Sequence, residues 1–309
     1  MGVIQVQAPG LFTTVQDLGC EGFGPLGVSP GGAADPVALR IGNWLVGNSE
    51  GAAGLEMTLL GATFYFPEGA IAALTGSDFD AALDGASIET WASFTISPGQ
   101  TLRLGPTRSG ARCYLCVHGG IAVKPFLGSA STHVLSGLGG LDGRALRKGD
   151  VLHIGPAVRT PRNKRLPASL LNRLAPRKTI RVTAGPQADW FPDSAWDLFR
   201  TGPYRVTEEA NRMGLRLEGS PILAFPAREM ITEGVSLGAI QVPKGGQPII
   251  LFVEQQTTGG YPKVANVIAA DLSSVGQLRP RDEIRFELVS FETARSLLME
   301  QEKLLASLD

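Results

Sequence analysis

Cysteine, histidine and aromatic residues are all scarce in this chain, and the shortages exclude several classes of protein. The 309 residues include three cysteines and three histidines, and aromatic residues make up 7%. Three cysteines cannot build a disulfide framework, so the cytosol is the expected compartment. No apolar run approaches the ~18 residues of a membrane-spanning helix, and the N-terminal sequence lacks the basic region and apolar core of a signal peptide. We therefore expect a soluble cytoplasmic protein.

An excess of charge of either sign is also missing. Lys and Arg total 28 against 29 for Asp and Glu, which gives a formal net charge of −1. Proteins that bind nucleic acid or anionic membranes usually carry a basic excess. A basic stretch does occur between residues 157 and 178, but it has no interleaved aromatic side chains for base stacking. We interpret that stretch as a solvated linker and predict neither a nucleic-acid nor a membrane partner.

Signatures of metal-dependent, phosphate-binding and nucleophilic chemistry are weak. The sequence has no Gly-x-x-x-x-Gly-Lys-Ser/Thr loop, and no Ser-His-Asp arrangement can be argued from it. Cys113 and Cys116 have the spacing of half a zinc site, but side chains three positions apart on a strand point to opposite faces. We therefore predict no metal site. Glu254 and Asp271 are candidate general bases, although carboxylates that cap turns are commoner.

Glycine and proline, in contrast, are abundant, with 39 and 21 residues. They separate short segments in which apolar and polar residues alternate, a pattern that favours many short strands and a mainly β fold. The turn at residues 97–99 resembles a hairpin turn. The clearest predicted strands are residues 101–104, 112–117, 180–182, 215–217 and 284–288.

Two amphipathic helices are predicted beside these strands. Asp35 is a good N-cap, and Pro36 suits the first helical position. Apolar residues then recur with helical spacing until Gly47 ends the helix. A second helix is predicted at the C-terminus, where the apolar residues between 294 and 308 form one face. We expect that face to pack on a barrel.

The most informative stretch is Gln-Thr-Thr-Gly-Gly-Tyr-Pro at residues 256–262. It directly follows an apolar run, residues 249–253, which is typical of a buried strand. Consecutive glycines permit a positive φ or a close approach of another group to the backbone, and Pro262 ends the strand ladder. Exposed amides and hydroxyls at a strand end suit a carbonyl or an anion. A simple tight turn explains the same residues equally well.

Eight further motifs occur in order along the chain. They are Thr-Val-Gln-Asp-Leu-Gly at 14–19, Gly-Ala-Ala-Asp at 32–35, Leu-Val-Gly-Asn at 45–48, Leu-Glu at 55–56, Gly-Gly-Ile at 119–121, Leu-Gly-Ser-Ala-Ser-Thr at 127–132, Asn-Arg-Met-Gly at 211–214 and Gly-Ala-Ile-Gln-Val-Pro at 238–243. Together with residues 257–262 they resemble the biotin-dependent carboxyltransferase / allophanate hydrolase subunit 2 family, over residues 3–286. Cys20 departs from the pattern, because an arginine usually stands there.

The resemblance implies a domain organisation. We expect a mainly β fold with two β-barrel lobes of cyclophilin-like topology and a few helices. The predicted N-terminal lobe covers residues 1–157, the basic linker covers 158–178, and the C-terminal cyclophilin-like lobe with its terminal helix covers 179–309.

The resemblance also implies a function. The family includes components of ATP-hydrolysing 5-oxoprolinases, which open 5-oxo-L-proline to L-glutamate, and such a component would be inactive without its partners. The implied partners are a KipI-like protein or the B subunit of 5-oxoprolinase, and also its A subunit, with ATP bound through the assembled complex. One alternative is a carboxyltransferase that transfers the carboxyl group of carboxybiotin to urea or a related amide. Another is a KipA-like regulator that binds a KipI-type kinase inhibitor.

Both enzymatic alternatives place negative charge on an amide oxygen, which preorganised hydrogen-bond donors would stabilise. We predict catalytic roles for Gln241, Thr258 and Tyr261. Taken singly, each of the glycine-rich motifs that contain the candidate site residues is more often a structural turn. Helix capping fully explains Asp35. The residues predicted to bind substrate are Asp17, Asp35, Asn211, Arg212, Thr257, Gly259 and Gly260.

Overall fold

The fold is mainly β, as predicted, in the computed structural model, which describes residues 2–157, 164–225 and 230–308. The chain divides into two compact units. The N-terminal unit comprises Met1–Cys20, Gly31–Ala175 and Leu308–Asp309, and the C-terminal unit comprises Glu21–Pro30 and Pro176–Ser307. No helix among the described residues is long and apolar enough to cross a membrane.

The N-terminal unit is built from two sheets around one hydrophobic core. Its described strands form a seven-stranded sheet of order β11-β12-β1-β4-β9-β6-β7 and a five-stranded sheet of order β2-β3-β10-β5-β8. Buried aliphatic and aromatic side chains from both sheets meet in the core. The elements are β1 Val3–Ala8, β2 Phe12–Gln16, α1 Pro36–Val46, β3 Gly54–Thr58, β4 Thr63–Phe66, β5 Ala70–Gly76, β6 Ala82–Leu83, β7 Ala86–Ser87, β8 Ser93–Ile96, β9 Gln100–Arg103, β10 Arg112–Val117, β11 Ile121–Ala122, β12 Val151–Ile154 and α2 Ala168–Leu174.

Helix α1 begins and ends as the sequence predicts. Asp35 is the N-cap, and its Oδ1 accepts a hydrogen bond from the Ala38 amide at 3.0 Å. At the other end Gly47 takes a left-handed conformation, φ 75°, which lets its amide bond to the carbonyls of the last turn. The helix packs against β5 and β10.

A row of polar side chains lies on the five-stranded sheet. Thr14, Glu56, Tyr114 and Thr75 are direct cross-strand neighbours on β2, β3, β10 and β5, and all four are fully buried. The Tyr114 hydroxyl donates to Glu56 Oε2 at 2.7 Å, and Thr75 Oγ1 donates to the Ala38 carbonyl at 2.7 Å. These bonds satisfy polar groups that would be costly to bury unpaired, and they tie the start of α1 to the sheet.

The C-terminal unit is a closed barrel of order β13-β20-β17-β18-β15-β14-β21. The first and last of its strands, β13 and β21, pair in parallel and close it. A separate two-stranded ladder joins β16 and β19. The elements are β13 Thr179–Ala184, α3 Asp193–Thr201, β14 Tyr204–Val206, β15 Gly214–Gly219, β16 Glu233–Gly234, β17 Ala239–Gln241, β18 Ile249–Leu251, β19 Thr258–Gly259, β20 Lys263–Val267, α4 Leu272–Gly276, β21 Glu283–Leu288 and α5 Phe291–Ala306.

Most of the predicted elements are confirmed. The five predicted strands correspond to β9, β10, β13, β15 and β21, and the C-terminal helix is α5, which packs on β13 and on the short 3-10 helix Ala269–Asp271. The hairpin predicted at residues 97–99 is wrong, because β8 pairs with β5 whereas β9 pairs with β4. That turn therefore carries the chain from one sheet to the other.

The predicted linker, residues 158–178, is only partly described. Residues 158–163 lie outside the described residues, whereas helix α2 lies inside the predicted linker. The predicted domain boundaries stay a prediction.

Two of the three cysteines are buried in β10. Cys113 and Cys116 are both fully buried, and burial raises the pKa of both thiols, that of Cys116 to about 12. Cys20 is partly exposed, although burial raises the pKa of its thiol as well. Within the described residues no group of three His, Cys, Asp or Glu side chains is placed to hold a metal ion.

We therefore predict that a thiol-specific disulfide reagent at pH 8 modifies Cys20 in the folded chain and leaves Cys113 and Cys116 unmodified. The thiolate is the reactive species, and burial disfavours it at the two strand positions. Chromogenic titration should count one thiol per folded chain and three in denaturant. Two or more thiols titrating in the folded chain would contradict this assignment.

Candidate functional site

Residues 256–262 leave the barrel after β18 and rejoin it at β20. Thr258 and Gly259 form β19, in which Gly259 lies opposite Glu233 of β16. Pro262 directly precedes β20, and its carbonyl accepts a hydrogen bond from the Val242 amide at 2.9 Å. The predicted buried strand is confirmed as β18, which ends at Leu251. The predicted stop at Pro262 is wrong, because the β19 ladder ends at Gly259 and Pro262 stands just before the start of β20.

Gly259 permits a close approach of a side chain rather than a special backbone conformation. Neither Gly259 nor Gly260 has a positive φ. A Cβ added to Gly259 would lie 2.3 Å from Gln241 Nε2, well inside van der Waals contact. A Cβ added to Gly260 would meet Thr232 Oγ1 at 3.4 Å, an ordinary contact. Of the two properties of glycine considered above, close approach therefore applies, and it applies to Gly259.

Gln241, on β17, is the group that approaches Gly259. Its side chain is buried, and its Oε1 accepts a hydrogen bond from Gln256 Nε2 at 3.3 Å. Its Nε2 has no hydrogen-bond partner in the described part of the chain. A buried donor left unpaired costs about 1–3 kcal/mol, so native structures contain few of them. Gln241 thus holds a preorganised amide donor against the backbone of β19.

A buried lysine lies on the strand beside this residue. Lys263 begins β20 and stands opposite Gln241 in the β17–β20 ladder. Its Nζ pairs with Glu233 Oε1, and the side chain of Lys263 is 3% exposed whereas that of Glu233 is 45% exposed. The hydrogen bond from Lys263, followed by one from Gln187, lowers the pKa of the Glu233 carboxyl.

Gln187 completes the arrangement. Its Nε2 donates to Glu233 Oε1 at 2.9 Å, and its Oε1 accepts from the Lys263 backbone amide at 3.1 Å. Glu233 also pairs with Gly259 through the backbone, so the contacts among these residues form a closed ring. We call the following residues the Gly259 cluster: Gln187, Glu233, Gln241, Gln256, Gly259 and Lys263.

The predicted hydroxyl donors lie at the solvent side of the same segment. Thr257 is half-buried, and Thr258 and Tyr261 are exposed. Their hydroxyls make no hydrogen bond within residues 2–157, 164–225 and 230–308, so they are available to a ligand. The structure places Gln241, Gly259, Gly260 and the three hydroxyls on or beside one excursion of the chain, and their predicted roles stay predictions.

Asn211 and Arg212 have local structural partners. Asn211 is exposed, and its Oδ1 accepts from the Met213 amide at 2.8 Å, which shapes the turn before β15. Arg212 is buried, and its Nε lies 2.5 Å from Oε1 of the equally buried Glu254. Glu254, a candidate base, is therefore part of a buried ion pair. The substrate-binding roles predicted for Asn211 and Arg212 stay predictions.

Asp271, the other candidate base, is also paired. It is fully buried, and Arg181 Nε lies 3.0 Å from its Oδ2. The hydrogen bonds to Asp271 raise the pKa of the Arg181 guanidinium. We therefore interpret Asp271 as a structural carboxylate of the barrel.

Asp17 and Asp35 belong to the N-terminal unit. Asp17 Oδ1 accepts from the hydroxyls of Ser129 and Ser131, each at 2.6 Å, and its Oδ2 accepts from the Ala130 amide at 2.6 Å. These bonds fasten the loop that contains residues 129–131 to the end of β2. Asp35 caps α1, as described above. Substrate binding by either aspartate stays a prediction.

Residues 234–238, Gly-Val-Ser-Leu-Gly, match the spacing of a nucleophile elbow but are not folded as one. An elbow places its serine in a turn between a strand and a helix, whereas this segment joins β16 to β17. Ser236 Oγ donates to Asn266 Oδ1 at 2.8 Å. All three histidines of the sequence lie between residues 118 and 153, in the N-terminal unit.

Sequence reasoning missed Lys263, Glu233 and Gln187. A weak signal exists for Lys263, because it is a lone cation at the start of the strand that directly follows Pro262. Glu233 and Gln187 carry no comparable signal, since only the β16–β19 register and the fold of the barrel bring them to Lys263.

Comparisons with known proteins agree with this architecture. Residues 26–288 match the model of the family described as carboxyltransferase domain, subdomain A and B. The chain is 38% identical to the C subunit of the 5-oxoprolinase of Escherichia coli over 97% of this chain and 96% of that protein. It is 35% identical to the C subunit of the Haemophilus influenzae 5-oxoprolinase over 94% and 92% of the two chains.

A solved structure, the urea carboxylase of Kluyveromyces lactis, superposes with a TM-score of 0.92 at 32% identity. That superposition covers 99% of this chain and 29% of the urea carboxylase chain. The likeness therefore extends over the whole of the architecture described above. The chain belongs to the family of the carboxyltransferase domain, subdomain A and B.

Proposed function

We propose that this chain is the C subunit of an ATP-dependent 5-oxoprolinase, which opens 5-oxo-L-proline to L-glutamate together with partner subunits. Similarity to two proteins of that name over nearly the full length of both chains supports this assignment. The expected partners are the KipI-like B subunit and the A subunit of that enzyme. A cytoplasmic location, inferred from the cysteine content, is part of the same proposal.

The observation that carries the proposed chemistry is the unpaired Nε2 of Gln241 beside Gly259. When a lactam carbonyl is attacked, negative charge develops on its oxygen, and a preorganised donor stabilises that charge more than it stabilises the ground state. Gln241 supplies such a donor without any change of protonation. The hydroxyls of Thr258 and Tyr261 would then complete the set of donors.

ATP is assigned to the partner subunits. A triphosphate needs several cations or a cradle of backbone amides, whereas Lys263 is the one cation of the Gly259 cluster and is already paired with Glu233. The cluster therefore does not fit a triphosphate.

A carboxyltransferase is the second candidate. The observation that favours it is the TM-score of 0.92 with the Kluyveromyces lactis urea carboxylase. A neutral amide donor such as Gln241 also suits a ureido oxygen. Titration of the assembled complex with biotin separates the two candidates, since a 5-oxoprolinase should show no specific binding.

The proposal predicts that co-expression with the neighbouring subunits gives a complex that releases ADP in the presence of 5-oxo-L-proline, with one glutamate formed per ADP. The isolated chain should show little or no such activity, because we assign the nucleotide site to the partner subunits. Coupled ADP and glutamate assays on the complete complex, the complex without this chain and the chain alone provide the measurement. Substantial turnover by the chain alone, or none by the complete complex, would refute it.

A further inference from the structure

The ion pair of Lys263 and Glu233 is unequally buried. The side chain of Lys263 is almost fully buried, at 3% exposure, whereas the side chain of Glu233 is 45% exposed. Within the residues that the structure describes, Glu233 is the only acceptor of Lys263 Nζ. An ammonium group in such surroundings needs an anion, because an unpaired buried charge is strongly unfavourable.

Separation of the ion pair is less unfavourable for Glu233 than for Lys263. Glu233 is already partly hydrated, and its strand, β16, is two residues long, so its carboxylate can turn into solvent when an incoming carboxylate accepts the hydrogen bonds from Lys263 and Gln187 in its place. Lys263 cannot be rehydrated in the same way. An incoming carboxylate could therefore replace Glu233 without leaving the ammonium bare at the end of the exchange.

Exchange of the anion at Lys263 can contribute to substrate binding because of where Lys263 lies. Lys263 faces Gln241 across the β17–β20 ladder, and Glu233 lies opposite Gly259 in the β16–β19 ladder. Residues opposite each other in a ladder project from the same face, with Cβ atoms about 4.5–5.5 Å apart, so a ligand bound to the unpaired amide of Gln241 has the Lys263 side chain as a neighbour. A substrate that carries both an amide and a carboxylate can use both groups.

We propose that Lys263 is the specificity-determining residue of this site, which binds the carboxylate of an anionic amide substrate by exchange with Glu233. The inference rests on the proposed function, and it deepens that function by restricting the substrate class. 5-Oxo-L-proline carries the required carboxylate. Neutral amides, such as urea or 2-pyrrolidinone, lack an anion and leave the Glu233 pair in place.

Steady-state kinetics of the assembled complex provide the first test. K263M should raise the KM for 5-oxo-L-proline about 10- to 100-fold, the range expected for a lost charge-assisted hydrogen bond. E233Q should lower that KM several-fold, because the competing carboxylate is gone. K244M, at an exposed lysine in the turn after β17, is the matched control and should leave KM unchanged. An ion pair that is only structural would lower the thermal unfolding temperature and leave KM the same in K263M and E233Q, which would overturn the proposal.

A binding measurement on the isolated full chain is independent of catalysis. In protein labelled with 13C at the lysine ε carbon, the Lys263 signal can be assigned by its loss in K263M. Titration with 5-oxo-L-proline should shift this signal, at lower concentration in E233Q, and titration with 2-pyrrolidinone should not. A complex without 5-oxoproline-dependent ADP release would refute the proposed function alone. If the Lys263 signal does not shift on titration with 5-oxo-L-proline in either the wild type or E233Q, the carboxylate site is refuted.

Discussion

Replacing Gly259 with alanine is expected to lower the kcat of the assembled complex by about 100-fold or more, the effect typical of losing one oxyanion donor. The added Cβ would lie 2.3 Å from Gln241 Nε2 and would force that amide out of its position. The substitution does not force alanine into a left-handed backbone conformation, since Gly259 has no positive φ. The KM for 5-oxo-L-proline should change by a smaller factor, because Lys263 still binds the carboxylate.

The neighbouring glycine offers a matched control. Gly260→Ala keeps the backbone amide through which Gly260 could bind substrate, and its Cβ meets only Thr232 Oγ1, at 3.4 Å, so it should keep kcat within about twofold of wild type. Because G259A and Q241L remove the same donor, their effects should not add, and the double variant should be no slower than the worse single one. A wild-type kcat in G259A, or equal losses in G259A and G260A, would show that Gln241 takes no part in the reaction.

The largest effect on stability is expected for Arg212→Met, which should lower the free energy of unfolding by about 3–5 kcal/mol. The change leaves the Glu254 carboxylate, 2% exposed, without the guanidinium that lies 2.5 Å away. Burying an unpaired carboxylate is far less favourable than burying the pair. Urea denaturation followed by circular dichroism provides the measurement.

Two further variants isolate this effect. Arg216→Met removes an arginine from an exposed pair with Glu209, with side chains 55% and 77% exposed, and should cost about 1 kcal/mol or less. The double variant Arg212→Met/Glu254→Leu replaces both charges with apolar groups and should regain most of the stability lost in R212M. Equal destabilisation by R212M and R216M would mean that burial of the Arg212–Glu254 pair is unimportant.

Local signals in the sequence predicted the elements that local chemistry determines. Asp35, Pro36 and Gly47 mark both ends of α1, because capping and the left-handed terminus depend on neighbouring residues. The turn at residues 97–99 was equally clear as a turn. Its place between two sheets was not predictable, since strand pairing is decided by contacts far apart in sequence.

In the candidate site, too, local features were predictable from the sequence and contacts between distant residues were not. The motif at residues 256–262 predicted either a positive φ or a close approach at its glycines, and the structure shows that Gln241 makes a close approach to Gly259. The charge next to it was not predicted, because Lys263 lies one residue beyond the motif and its partner Glu233 is held there by the two-residue ladder of β16 and β19.

The parallel pairing of β13 with β21 bears on how the C-terminal unit folds. Thr179 pairs with Arg285, so the barrel joins segments separated by roughly 100 residues of chain. During synthesis the edge of β13 has no partner on that side until β21 has left the ribosome, and exposed strand edges favour aggregation. Closure therefore depends on the last strand of the barrel, and a chain truncated before β21 would carry two permanently open edges.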